Sequence, residues 1–106
     1  MATIQEINSW LLKLQQKLLE DDIKGSATWN PGDIADGDEE ATEVTVTGAV
    51  LGDYAIASFS LDVSDLVLNA QVTAADTVTC VLSNNTGGAI NLAQGTLYVR
   101  VFRRTI

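Results

Sequence analysis

The sequence predicts a mainly β protein: a compact antiparallel β-sandwich, jelly-roll-like, preceded by one N-terminal amphipathic α-helix. Three observations predict it. Up to Gly25 the chain is rich in Leu, Gln and Lys, with apolar residues at steps of three and four, whereas beyond Gly25 it turns to Thr, Val, Gly and Asp in alternation. Short alternating runs then recur between turn-forming clusters, which is the signature of an all-β domain. Finally, 106 residues hold one modest core and no more. The expected division is residues 1–25 as a helical assembly or mounting element and residues 26–106 as the β-sandwich domain.

The helix opens at Thr3-Ile4-Gln5-Glu6, a capping box in which the Thr3 hydroxyl and the Glu6 carboxylate each accept the other's backbone amide. Ile4, Ile7, Leu11, Leu14 and Leu18 follow in alternating steps of three and four, the seam of a short coiled coil that ends where Asp21 takes the next seam position. Leu12, Leu19 and Ile23 form a second apolar stripe, and Trp10 widens the seam on its other flank. An isolated helix of this length is marginal in water, so this surface needs a partner. Either the helix folds back on its own β domain, or it joins identical helices through the seam and offers the second stripe to another protein. Isoleucine at both early seam positions favours more than two strands in a parallel coil. Glu20, Asp21 and Asp22 oppose the helix dipole, and Lys24-Gly25 reads as the helix end, with Gly25 at the left-handed C′ position.

In the β half, Trp29-Asn30-Pro31-Gly32 reads as a turn, Trp29 as a core-edge anchor, and the acidic stretch from Asp33 to Ala41 as a surface loop. Glu43 to Thr47 alternates as a strand. Tyr54 to Leu61 is small or apolar on both faces and reads as a central strand covered twice. Leu66–Val72 and Thr77–Leu82 flank Ala74-Ala75-Asp76 as a hairpin, and Ser83 to Gly88 is the strongest turn signal. Gly95 to Phe102 is the last strand, with Leu97, Val99 and Val101 facing in. Tyr98, Arg100 and Phe102 then face out and, with Arg103, form a candidate subunit interface, since aromatics and Arg are favoured in interface cores.

Charge and residue types exclude much. The net charge is −8, with Asp33, Asp36, Asp38, Glu39, Glu40 and Glu43 crowded together and Arg100, Arg103 and Arg104 at the far end. Such a field repels nucleic acid and anionic membrane. No apolar run approaches the roughly 20 residues of a membrane-spanning helix, and the N-terminus lacks the basic-then-apolar build of a signal peptide. The chain has no histidine and a single cysteine, Cys80, which alternates with Val78 and Leu82 as a small core residue. The Asp33–Asp38 carboxylates lack the spacing of a calcium loop. No hydrolytic carboxylate pair, activated serine or phosphate-binding loop is recognisable. The expectation is no enzyme, no metal and no cofactor.

Five segments carry a resemblance: Ala27-Thr28-Trp29-Asn30-Pro31-Gly32-Asp33-Ile34; Val44-Thr45-Val46-Thr47-Gly48-Ala49 with Leu51-Gly52-Asp53; Ala74-Ala75-Asp76-Thr77-Val78-Thr79; Asn85-Thr86-Gly87-Gly88; and Asn91 through Val101. In this order and spacing, over about three quarters of the chain, they resemble a small β domain of tailed-bacteriophage virion proteins, of head-decoration, head-fibre or knob type. The resemblance implies a virion structural part, commonly a homotrimer, without catalytic residues. A long fibre calls for an extended repeat or a longer coil, and this chain has neither. The expected function is therefore a capsid decoration (cement) protein on the outer capsid surface, made in the host cytoplasm, with the major capsid protein of the phage head as partner. The alternative is a fibre, knob or tail-tip domain that binds a host receptor or glycan through exposed Tyr54, Tyr98 and Phe102.

Overall fold

A computed structural model describes residues 3–20 and 23–106, with side chains described for residues 3–17 and 23–106. The fold is mainly β with antiparallel sheets and one N-terminal helix. The elements are α1 (Ile4–Glu20), β1 (Ile23–Trp29), β2 (Gly32–Ile34), β3 (Glu39–Thr45), β4 (Tyr54–Phe59), β5 (Val67–Ala74), β6 (Thr77–Ser83), β7 (Ile90–Leu92) and β8 (Gly95–Phe102). The capping box forms as its residues require: the Glu6 amide donates to Thr3 Oγ1 at 3.1 Å and the Thr3 amide to Glu6 Oε2 at 3.2 Å. Lys17 in the last turn suits the helix dipole.

Two three-stranded sheets, β1-β8-β4 and β3-β6-β5, face each other, and β2 pairs with β7. β1 pairs with β8, β2 with β7 and β3 with β6, a nested pattern that rolls the first half of the chain against the second as in a jelly roll. Between β1 and β2 lies Pro31, which has no amide to give to the ladder. Trp29–Gly32 is thus an interruption in one extended path rather than a chain reversal, and the β2–β7 ladder continues the β1–β8 ladder. Alternation supplies the core: Val78, Cys80 and Leu82 from β6 meet Leu97, Val99 and Val101 from β8, with Val44, Val46 and Val72 beside them. Trp29 anchors one end, edge-on to Phe59 at 6.0 Å between ring centroids.

Several local readings are corrected by long-range pairing. The helix is described as far as Glu20, and Ile23, Lys24 and Gly25 belong to β1, in register with Val101, Arg100 and Val99. The boundary between helix and β domain therefore precedes Ile23 instead of following Gly25. Ile23 is buried in the core, so it leaves the second helical stripe. Gly25 serves a close approach and caps nothing: a Cβ there would lie 2.6 Å from the Thr45 carbonyl oxygen, where β1 runs beside β3.

The acidic stretch is not one loop. It contains β2 and the start of β3, joined by a turn in which Gly37 N–H donates to Asn84 O at 2.7 Å and Asn84 N–H to Asp38 O at 3.0 Å. Buried Asn84 organises this end. Its Nδ2 donates to Ile34 O at 2.8 Å and Gly88 O at 2.9 Å, while its Oδ1 accepts from Thr86 N–H at 3.0 Å and Thr86 Oγ1 at 2.7 Å. Every polar atom of the side chain is satisfied, which a buried amide requires. β4 is also reassigned: it is an edge strand of its sheet, with Tyr54, Ile56 and Ser58 exposed on the outer side. Its apolar run lacks the second covering layer.

Candidate assembly surfaces

Among the described residues, two apolar surfaces lack a covering layer. The first is α1. Every described helical side chain is exposed, with Ile7, Leu11 and Leu14 at 46, 50 and 45 % and Ile4, Trp10 and Leu12 at 79, 64 and 62 %. The helix therefore does not fold back on the β body through any of these residues. At 3.6 residues per turn Ile4, Ile7, Leu11 and Leu14 share one face, while Leu12 stands apart from it. Leu18 and Leu19 continue the helix, but their side chains lie outside the described residues, as do Asp21 and Asp22 entirely.

The second surface is the outer face of the β1-β8-β4 sheet. Register sets its rows: Lys24, Arg100 and Ile56 lie side by side, as do Ser26, Tyr98 and Ser58, and Phe102 lies opposite Tyr54. Tyr54, Ile56, Tyr98 and Phe102 are each about half exposed. Between the first two rows runs a shallow groove of about 470 Å³, floored by Gly25, Ala57 and Val99. The structure thus brings the expected Tyr98, Arg100 and Phe102 together with Tyr54. It adds Lys24 and Ile56, whose local sequence suggests a helix end and a doubly covered strand. Arg103 lies just beyond β8, exposed but outside this register.

Four other chemistry-bearing groups, Asp36, Asp38, Asp53 and Cys80, have structural work. Asp36 Oδ1 accepts from Gly87 N–H at 3.0 Å and Asp38 Oδ1 from Glu39 N–H at 2.8 Å, so these carboxylates hold turns. Among the described residues, no three carboxylate or thiol groups are placed to hold a metal ion. Asp53 accepts from Arg104 N–H at 3.0 Å and from Val50 N–H at 3.1 Å. The Arg104 amide is the main reason its carboxyl sits below the ordinary value of 3.8; the Val50 amide and the charges of Arg103 and Arg104 act the same way, against partial desolvation. Arg103 and Arg104 therefore lie near Asp53, at the β4 entrance. Cys80 is fully buried, and burial pushes its thiol up to about 11, so it packs and does not react. No helix among the described residues is long and apolar enough to cross a membrane.

No protein-family model matches the chain, and no curated protein matches it.

Proposed function

We propose that this chain is a bacteriophage virion structural protein, a homotrimeric capsid decoration protein whose helix assembles or mounts a β-sandwich body on the shell. One observation carries the reading: a helix with an apolar seam and every described side chain exposed is joined to a β body that completes its own core without it. Apolar surface of this kind is unfavourable in water at about 25 cal/mol per Å², and sister helices cover it best. Seam isoleucines at Ile4 and Ile7 support three strands over two. The phage-like residue pattern of the β half supports a virion role, and Asp36, Asp38 and Asp53, which hold backbone amides, and Cys80, packed in the core, fit a structural one.

In this reading the seam gathers three copies, and Leu12, outside the seam, remains for the major capsid protein. Binding across capsomer junctions adds buried surface to the shell and so resists internal pressure. No nucleic acid or membrane contact is required, and the site of action is the outer capsid surface. A second reading, a fibre, knob or tail-tip domain that binds a receptor or glycan, draws on the groove beside Tyr98, where an aromatic ring and hydroxyls meet.

Sedimentation equilibrium of the full chain tests the assembly, with a trimer expected for the wild type and a monomer for Leu11→Asp. A monomeric wild type would remove the trimer. Copy number on purified particles separates the readings: hundreds support decoration, a handful the tail or fibre role. Capsids lacking the protein should burst at lower temperature and milder osmotic shock, and unchanged tolerance would end the cementing role.

A further inference from the structure

The turn between β3 and β4 carries an apolar knob. Val50 and Leu51 are 52 and 63 % exposed at its tip, where a solvated turn favours glycine and polar residues. The tip is held in one shape. Asp53 N–H donates to Val50 O at 3.0 Å and Val50 N–H to Asp53 Oδ2 at 3.1 Å, while Asp53 Oδ1 accepts from Arg104 N–H at 3.0 Å. Gly52 completes the turn at a φ of 99°, a conformation that strains any other residue. At the turn's base, Gly48 N–H donates to Asp76 Oδ1 at 2.8 Å, which ties the segment to the β5–β6 hairpin as well. Two aliphatic side chains on so fixed a support lose little freedom when they bind, as an anchor should.

A matching hole is present in the same chain. The groove on the outer face of the β1-β8-β4 sheet holds about 470 Å³, ample for two aliphatic side chains, because its floor residues and the short Ser26 and Ser58 leave room beside Tyr98 and Ile56. Neither Val50 nor Leu51 lines it, so the chain does not fill its own groove with its own knob. Both features stand at the end of the body that α1 joins. Ile23 opens β1 shortly after α1 reaches Glu20. A Cβ on Gly48 would lie 3.9 Å from Ile23 Cδ1, and Lys24, the next residue, already borders the groove. Helices that gather the copies therefore concentrate knobs and grooves at one level of the assembly.

We infer that the Val50-Leu51 turn of one copy seats in the groove beside Tyr98 of the next copy, and that this contact locks the β bodies of the assembled protein together. The inference rests on the oligomer proposed above and adds which surfaces of the bodies meet. Knob and groove are different surfaces, so the contact is heterologous, the kind that closes into a ring when the rotation fits. Its driving force is the removal of apolar surface from water on both sides. Two side chains cover far less than the roughly 800 Å² per partner of a stable complex. The contact acts on copies that the helices have already gathered, where a high effective concentration makes a small contact sufficient.

The test uses the full chain. Cys80 is buried, so Leu51→Cys and Ser58→Cys supply the reactive thiols, and a short bismaleimide followed by denaturing electrophoresis reports which surfaces meet. The double variant should cross-link into covalent dimers and trimers, while each single variant should stay uncross-linked. In sedimentation equilibrium Leu51→Asp should raise the trimer dissociation constant at least tenfold, a factor that burial of one leucine supplies. Ser58→Trp, which fills the groove from its own side, should do the same. Leu61→Asp, at an exposed leucine just beyond the far end of β4, should leave it within about twofold. Melting by circular dichroism checks that each variant folds. Cross-linking in either single variant, or equal losses from Leu51→Asp and Leu61→Asp, would overturn the contact. So would a trimeric double variant that does not cross-link, since the groove would then be open to a glycan or the capsid protein. A wild-type monomer would instead overturn the oligomer on which the inference rests.

Discussion

Gly25→Ala is the substitution that best separates local from tertiary logic. The added methyl would stand 2.6 Å from Thr45 O and 3.1 Å from Val46 Cγ2. The oxygen belongs to backbone, and the next residue is tied down because Val46 N–H donates to Asp76 O at 2.8 Å, so the strand cannot retreat cheaply. Relief requires β1 to move away from β3, an overpacking cost of about 1–3 kcal/mol. Against this, alanine restricts the unfolded chain and returns about 0.4–1 kcal/mol. The net expectation is a loss of about 1–2 kcal/mol, or a fall in Tm of roughly 5–15 °C for a domain of this size. Thermal melting followed by far-UV circular dichroism measures it, and Gly25→Asn sharpens the contrast: a helix C′ position accepts asparagine, whereas the β1–β3 approach rejects it more strongly than alanine. A Gly25→Ala protein that melts at or above the wild-type temperature, or an asparagine variant that behaves as wild type, would refute the close-approach argument.

Three further outcomes follow from buried or tethered groups. Asn84→Ala removes the donor to Ile34 O and Gly88 O and the acceptor for Thr86, and should cost about 2–4 kcal/mol in urea denaturation; a shift within error of zero would mean that water replaces the amide. Cys80 should resist maleimide at pH 8 in the native protein and react at once in guanidinium, because its thiol is buried and pushed up to about 11; rapid native labelling would show that the core opens locally. Asp53, whose carboxyl is held below 3.8 first by the Arg104 amide, supports the C-terminal segment at pH values above its unfolded pKa and loses that support as pH falls through the lower folded pKa. An NMR titration of the Arg104 amide should show the transition below pH 3.8 and its absence in Asp53→Asn, and a midpoint at or above 3.8 would contradict the tether.

The sequence by itself determined every feature whose signal is local and repeated. The capping box at Thr3 and Glu6, the hairpin turning at Ala75-Asp76, the inward alternation of Val78, Cys80 and Leu82, and the strand Gly95–Phe102 with Leu97, Val99 and Val101 inside are all present as read. These rest on contacts within a few residues or on strict period-two patterning, so no distant partner was needed to infer them. The outward Tyr98, Arg100 and Phe102 were legible for the same reason.

Only the tertiary structure decided the rest. Lys24-Gly25 after a leucine-rich helix has the local chemistry of a cap, yet Gly25 pairs with Val99 near the other end of the chain and lets Thr45 approach. Glycine suits both roles, and only the partner strands distinguish them. Ile56 looked buried because its neighbours are small and apolar, but burial depends on whether a second layer exists, and β4 lies at a sheet edge. The pairing of Lys24 with Arg100 arises from the register of the β1–β8 ladder. Composition can announce a strand, but only the ladder sets which side chains stand together on one face.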